Sequence, residues 1–444
     1  MKKKILTLLV LSALAIPNVK AQNHPNVELD GEMITIIGGR GASSSEVYSI
    51  LLGNAPVAPE YNNNIPRFSI IGKNNKFYLG IGASVKGTAS FDWGNPLNDP
   101  ALFTPSALTQ VAPGNGGEFQ LTAKRSQLYF NAVALPGTKN QVGVYIGIYF
   151  AGNNYSVILN NAYLKYRGFT VGYKFTMYCD MASSPNTIDS EGPNSSPSIR
   201  NTVINYEHNF SPKIKAGIGL ELPMTSITTT NNTIIEKPIT TDIISQVANV
   251  NQRIPDIPLY LQYKWNTTGN GHVRLSGMLR NMQYRNINHN ENENSFGWGV
   301  KLSGLAQYGA FTTYFMAQYG KGIASYLQDN TGMGLDMVPC SRCEGYLANT
   351  KSWGAYGGIQ YNFSKKLFLS AVYSHVRNYM HNYNGGAMEY ANQYQWGQYA
   401  LGNIMWNITP NVQTGLEYVY GRRMSMDNTQ IHDNRISAMM QVSF

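Results

Sequence analysis

Ile436-Ser437-Ala438-Met439-Met440-Gln441-Val442-Ser443-Phe444 closes the chain as an alternation in which Ile436, Ala438, Met440, Val442 and Phe444 share one face and Ser437, Gln441 and Ser443 the other. A helix turns 100° per residue and cannot sort side chains this way; an extended strand does. One apolar face, one polar face and a terminal aromatic are the marks of a strand standing between lipid and water. The same period of two recurs upstream. Val142, Val144, Ile146, Ile148 and Phe150 oppose Gln141, Gly143, Tyr145, Gly147 and Tyr149, and Phe296, Trp298, Val300 and Leu302 oppose Gly297, Gly299, Lys301 and Ser303. Ile214, Ala216, Ile218, Leu220 and Leu222 stand against Lys213, Lys215, Gly217, Gly219 and Glu221.

Segments of this type fall near 76–91, 119–135, 140–151, 156–166, 169–177, 200–208, 213–222 and 257–265. They continue near 271–283, 296–304, 311–320, 353–362, 367–377, 393–406, 411–420 and 433–444, which makes an even number, sixteen. The stretches at 119–135 and 200–208 alternate least well. The fold predicted is all-β, a transmembrane antiparallel up-and-down barrel, because a strand in hydrocarbon must pair every backbone group within a closed wall.

The connections are an independent test, since outer-membrane barrels have tight periplasmic turns and longer outer loops. Even-to-odd connections are tight, among them Arg167-Gly168, Asn209 to Pro212, Tyr308 to Ala310 and Phe363 to Lys365. Odd-to-even connections are long at 92–118, 178–199, 223–256, 284–295, 321–352 and 378–392, with 152–155 as the short exception. Both chain ends are thereby expected in the periplasm. Aromatics bracket several tight turns, as in Asn362-Phe363-Ser364-Lys365 and Trp406-Asn407-Ile408-Thr409-Pro410, in keeping with an interfacial girdle.

Composition agrees. Charged residues are 13% of the chain, against about 25% in an ordinary soluble domain. After residue 21 no apolar run reaches the roughly 18 residues of a spanning helix. At the N-terminus Lys2-Lys3-Lys4, the apolar run from Ile5 to Ile16 and Val19-Lys20-Ala21 read as a secretory signal peptide. Cleavage after Ala21 would leave 30 of the 34 basic side chains against 25 acidic ones, so part of the basic character belongs to export. No cysteine follows that site to carry a lipid anchor. The expected organisation is 1–21 signal peptide, 22–65 a loosely ordered periplasmic lead-in of weak periodicity, and 66–444 barrel.

Cys340-Ser341-Arg342-Cys343 has two readings, a metal or redox pair and a local disulfide in an exposed loop; a zinc site would need two more ligands at suitable spacing. The expectation is the disulfide, with no metal and no cofactor.

A barrel this wide leaves an aqueous channel, so inward charges and inward loops carry the information. Alternation points Lys86, Lys174, Lys215, Arg274, Arg280 and Lys301 inward, together with one of Lys124 and Arg125. Basic side chains in a pore wall lower the barrier for anions and raise it for cations. The competing reading is that they pair with lumen carboxylates such as Glu221 and Glu417 and hold the wall together. Between the fifth and sixth strands, Pro185, Gly192 and Pro193 give the third outer loop a fixed shape, so that Asp189 and Glu191 could face Arg200 across a narrow opening. Here the competing reading is an exposed loop with solvated carboxylates.

Three stretches carry a resemblance to a known family: Phe68-Ser69-Ile70-Ile71-Gly72 leading into Lys76 to Gly80, Ala123-Lys124-Arg125-Ser126-Gln127-Leu128, and Pro185-Asn186-Thr187-Ile188-Asp189 with Gly192-Pro193-Asn194. The chain resembles the DcaP-like trimeric outer-membrane porins over roughly the first half of the mature sequence. The resemblance implies a sixteen-stranded homotrimer in outer-membrane lipid, an inward-folded third loop, and an anion-preferring constriction near Arg125, Asp189 and Arg200 for small organic anions such as dicarboxylates. No heptad segment precedes the barrel like the periplasmic coiled coil of some members.

Other functions have less support. His208, His272, His289, His375, His381 and His432 are scattered, and neither Gly-x-Ser-x-Gly nor His-Glu-x-x-His occurs, so the chain is not read as an enzyme. A channel for hydrophobic solutes conflicts with inward faces of Gly, Ser, Thr, Gln and Lys. Basic residues dispersed over strands give no stripe for nucleic acid. A structural or adhesive barrel, its lumen blocked and its outer loops binding ligand, is the alternative that stays open.

Overall fold

A computed structural model describes residues 34–36, 44–57, 68–72, 75–225, 227, 247–265, 271–339, 346–380 and 392–444. The expected signal peptide and the Cys340/Cys343 pair lie outside the described residues. The wall is built of β1 (Phe77–Asp92), β2 in two pieces (Glu118–Thr122 and Gln127–Ala134), β3 (Val142–Phe150), β4 (Val157–Tyr166), β5 (Phe169–Phe175) and β6 (Arg200–Asn209). It continues through β7 (Ile214–Glu221), β8 (Ile257–Lys264), β9 (Gly271–Asn286), β10 (Glu291–Tyr308) and β11 (Phe311–Lys321). The last five are β12 (Lys351–Asn362), β13 (Leu367–Tyr379), β14 (Tyr394–Thr409), β15 (Val412–Ser425) and β16 (Gln430–Ser443).

Each strand pairs antiparallel with its sequence neighbours, and β16 pairs with β1 from Arg435↔Asp92 to Ser443↔Ser84, which closes the barrel. Below Phe444 the seam is continued by the short strand Phe68–Ile71, which pairs with β1 from Phe68↔Ile81 to Ile71↔Tyr78. Closure leaves no sheet edge facing lipid. Burial alternates as the sequence pattern requires. On β11 Thr312, Tyr314, Met316, Gln318 and Gly320 are buried while Phe311, Thr313, Phe315, Ala317 and Tyr319 are exposed.

All sixteen expected strands are present, with two differences at their ends. The connection expected at 284–295 is only the turn 287–290, because β9 and β10 stay paired to Asn286↔Glu291. Its extra rungs carry Gln283, Arg285, Asn292 and Asn294 on the outer face, where water replaces lipid and no apolar residue marks a strand. The poor alternation at 119–135 has a local cause: pairing of β2 with β1 breaks at residues 123–126.

Ser44–Asn54, inside the segment expected to be a loosely ordered lead-in, is a helix, α1. Val47, Ile50, Leu51 and Asn54 recur at i, i+3, i+4 and i+7, the spacing of one helical face, and pack with Ile71, Tyr78 and Val133 on the lumen side of the wall. The Asn54 amide donates to Asn131 Oδ1 at 2.7 Å and Val144 O at 3.0 Å, and Asn131 donates to Leu51 O at 2.7 Å. Lys165 donates to Asn54 O at 3.1 Å, a cation at the negative end of the helix. The cradle depends on Gly143, where a Cβ would stand 2.1 Å from Asn54 Oδ1.

Gly143→Val should therefore undock α1. Breaking buried hydrogen bonds of this kind costs about 1–3 kcal/mol, so protease cleavage within residues 44–57 should rise about tenfold or more while the barrel keeps its strand content by circular dichroism. Unchanged cleavage would show that this wall does not hold the helix.

Candidate pore constriction

Residues 176–199, between β5 and β6, hydrogen-bond to lumen-side residues of strands around most of the perimeter. Two wall carboxylates accept backbone N–H groups from this segment. Glu417 on β15 takes Ile188 N and Asp189 N, each at 2.7 Å, and Glu221 on β7 takes Met177 N at 2.7 Å. Between them Asn186 donates to Gln360 at 3.0 Å, Gln318 donates to Ser195 O at 2.8 Å, and Ser195 shares a 2.7 Å hydrogen bond with Ser374. From β1, Lys86 Nζ donates to Ile188 O at 2.8 Å and Ser190 Oγ at 3.2 Å.

Two further outer connections join it through carboxylate hubs. Asp189 accepts Phe103 N at 2.9 Å, Gly192 N at 3.2 Å and the Tyr399 hydroxyl at 2.8 Å. Asp329 accepts Ser106 N at 3.0 Å, Asn194 Nδ2 at 3.0 Å and the Tyr394 hydroxyl. Residues 93–117 contribute Leu97, Phe103 and Leu108 to a cluster with Val372, Tyr399, Leu401 and Val419.

A cavity of about 370 Å³ remains beside this packing, with Lys86, Arg125, Arg200, Tyr149 and Phe175 on one side and Glu191 on the segment 176–199. Gln413, Gln441, Met405 and Phe368 line it too. Arg125 reaches it because it sits in the break of β2 with φ +71, a left-handed conformation that re-aims a side chain out of the strand alternation. Its guanidinium lies 5.4 Å from the Tyr149 ring centre, and that of Arg200 lies 4.0 Å from the Phe175 ring and 5.8 Å from Tyr149. Burial, with Asp189 and Asp329 close by, pushes the Glu191 carboxyl up to about 8, with Arg125 acting the other way.

Of the residues singled out by sequence, Arg125, Asp189, Glu191 and Arg200 meet at this cavity, and Lys86 with them. Asp189 does so as a strut, its carboxylate occupied by the loops. The others are elsewhere. Lys124 pairs with Asp99 at 2.9 Å. Lys215 pairs with Glu207 at 2.8 Å, and Lys174 lies 5.7 Å from the Tyr163 ring centre. Arg274 donates to Met177 O at 2.7 Å and lies over Tyr260. Lys301, fully buried, donates to Ser303. Arg280 is sealed between Asp256 at 3.1 Å and Asp336 at 3.0 Å, with its side chain fully buried. Glu221 and Glu417, weighed as partners for wall cations, hold loop amides instead. Asp256, Asp329 and Asp336 were not anticipated, since they lie in long connections whose inward packing leaves no periodic trace.

A family model described as the porin subfamily matches residues 122–441. No match is found among curated protein sequences. Among solved structures the chain is similar to the outer membrane channel DcaP of Acinetobacter baumannii, with a TM-score of 0.68 at 18% identity over 84% of this chain and 99% of that one. It is also similar to in-vitro folded OmpT, an outer membrane protein of Vibrio cholerae, with a TM-score of 0.51 at 10% identity over 84% of this chain and 99% of that one. An anion-selective porin from Comamonas acidovorans gives a TM-score of 0.50 at 10% identity over 83% of this chain and 100% of that one. At such identities the likeness is one of fold.

Glu417→Ala should orphan Ile188 N–H and Asp189 N–H, at about 1–3 kcal/mol each, and loosen the segment at the cavity. Single-channel recordings should show higher conductance and noisier open levels, with Glu417→Gln, which keeps one acceptor, between the two. Wild-type conductance and noise in Glu417→Ala would mean that this carboxylate does not set the opening.

Proposed function

As a member of the porin subfamily, to which this chain belongs, the protein is an outer-membrane channel, and we propose that it passes small hydrophilic solutes by diffusion with a preference for small organic anions. The observation that carries this reading is the placing of Lys86, Arg125 and Arg200 on one side of the cavity beside the segment 176–199. An anion entering a narrow passage loses part of its hydration. Guanidinium and ammonium groups supply hydrogen bonds and favourable potential in its place, while a cation gains nothing comparable. The ring faces of Tyr149 and Phe175 pack against the Arg200 guanidinium at the cavity wall. In this proposal the segment 176–199 is the inward-folded third loop that narrows the pore, and Glu191 is its titrating counterweight.

The proposal extends to organisation: residues 1–21 as export signal, 22–65 as a periplasmic lead-in that contains α1, 66–444 as barrel, and three copies assembled through the apolar outer faces of the short strands β2–β7. The second reading, a barrel with a blocked lumen that binds ligands with its outer loops, draws on the interlocking of residues 93–117, 176–199 and 322–339. Planar-bilayer recording separates the two, because a blocked barrel gives no conductance steps.

Replacing Arg125 or Arg200 by Glu changes the local charge by two units. At roughly 6 Å in a water-like medium this alters the energy of a passing monovalent ion by about 1.4 kcal/mol, roughly tenfold in permeability. Reversal potentials in a salt gradient should move toward cations by that order in each variant, and unchanged values in both would remove these arginines from the selectivity mechanism. Since the Glu191 carboxyl is held up near 8, it is largely neutral at pH 6 and ionised at pH 9. Anion preference should therefore fall as pH rises through about 8, and Glu191→Gln should abolish that dependence.

A further inference from the structure

Along its strands, the outer surface of the barrel carries cations on one side only. On β1–β8 the strand cations Lys86, Lys165, Lys174, Arg200, Lys215 and Lys264 all lie on the lumen side. On β9–β15 the outward alternation instead places Arg285, Lys321, Lys351, Arg377 and Arg422 near the external ends of their strands. The acids of those strands, Glu291, Glu293 and Glu417, have the inward parity. Among the described residues no carboxylate forms an ion pair with any of the five outward cations.

Register gathers these side chains into a belt. Lys321 stands directly opposite Lys351, and Arg377 lies between Trp353 on one neighbouring strand and Trp396 on the other. His375 is stacked between the same two indoles, at 5.1 Å from Trp353 and 5.6 Å from Trp396, and Arg422 lies over Trp396 at 5.3 Å. Arg377 donates to Gln395 at 3.0 Å and leans on Tyr379 at 5.2 Å. The height of the belt follows from β11. Lys321 is ten residues beyond Phe311, which at about 3.3 Å per residue and a tilt near 45° is roughly 23 Å along the membrane normal, one apolar band. Cations that are costly at the bilayer midplane are tolerated there, where Trp and Tyr mark the headgroup level.

Like charges set directly opposite on one face repel, and nothing described on this face offsets Lys321 and Lys351. None of the described carboxylates supplies the missing charge. A guanidinium matches phosphate through paired N–H donors, ammonium groups add point charges, and flat rings suit the boundary between acyl chain and headgroup. We infer that the external rim of β9–β15 binds the phosphate of anionic lipid headgroups, with Arg377, Arg422, Lys321 and Lys351 as the phosphate contacts and Trp353, His375 and Trp396 against the upper acyl chain. This goes beyond conduction, since none of these side chains faces the lumen.

The test is tryptophan quenching in phosphatidylcholine bilayers containing the full barrel and either brominated phosphatidic acid or brominated phosphatidylcholine at matched ionic strength. Half-maximal quenching is expected at about fivefold lower mole fraction for phosphatidic acid. Arg377→Gln combined with Arg422→Gln should bring the two lipids within about twofold of each other, and Lys321→Gln combined with Lys351→Gln should weaken the preference while leaving both indoles in their places. Single-channel conductance should stay at the wild-type level in both variants, which certifies folding and separates failure of this inference from failure of the channel reading. Equal quenching by the two lipids in the wild type, or a preference that survives both double variants, would overturn it. Loss of the preference on adding 10 mM inorganic phosphate against chloride of equal ionic strength would assign the belt to free anions instead.

Discussion

Backbone polar groups that meet no water must pair with one another, and in this chain that requirement shapes everything else. Sixteen strands satisfy it only by closing, β16 onto β1, and closure sends every second side chain to lipid and its neighbours to an enclosed interior. The interior then poses a second problem. Long connections that enter it bring their own N–H and C=O groups, and a barrel of this circumference has too few backbone partners to spare for them. Wall side chains fill the gap. Glu417 and Glu221 accept amides from residues 176–189, while Gln318, Gln360, Ser374 and Asn403 serve the stretch between. The inward polar residues of the wall are the ones that hold these connections.

This double use separates charges that line the cavity from charges that hold the structure. Arg280 is enclosed by Asp256 and Asp336, and replacing one partner there would strand a buried charge. Asp189 and Asp329 are saturated by loop amides and tyrosine hydroxyls. Lys86 belongs partly to both groups, since it fastens Ile188 O and Ser190 while lining the cavity. Arg125 and Arg200 differ in kind, because both line the cavity and pack against aromatic faces there. That opening is also where a strand is broken, at Ala123 to Ser126, and the break is what brings Arg125 in.

The outer surface obeys the same economy of contact. Strands β1–β8 show lipid an uncharged face, and β9–β15 end in cations interleaved with indoles at headgroup height. The two halves of the perimeter therefore present different surfaces, the first uncharged along its strands and the second cationic at its external ends.

The amino-acid sequence by itself determined the sixteen strands, their parity and the alternation of tight and long connections, because lipid on one side and water on the other imposes a period of two that survives in the order of residues. It also pointed to Arg125, Glu191 and Arg200, through alternation and through a short motif near Pro185. It left open whether the inward charges act on solutes or on one another, and it passed over α1, whose face of Val47, Ile50, Leu51 and Asn54 is too short to stand out. Strand ends beyond the bilayer, as at Arg285 and Asn292, were lost because water on both faces erases the pattern. Only the tertiary structure decided that Glu417 holds a loop, that Arg280 is sealed and that five cations share one outer rim. Those outcomes depend on which residues from distant strands face one another across a closed wall, and a closed wall is not a local property of any segment.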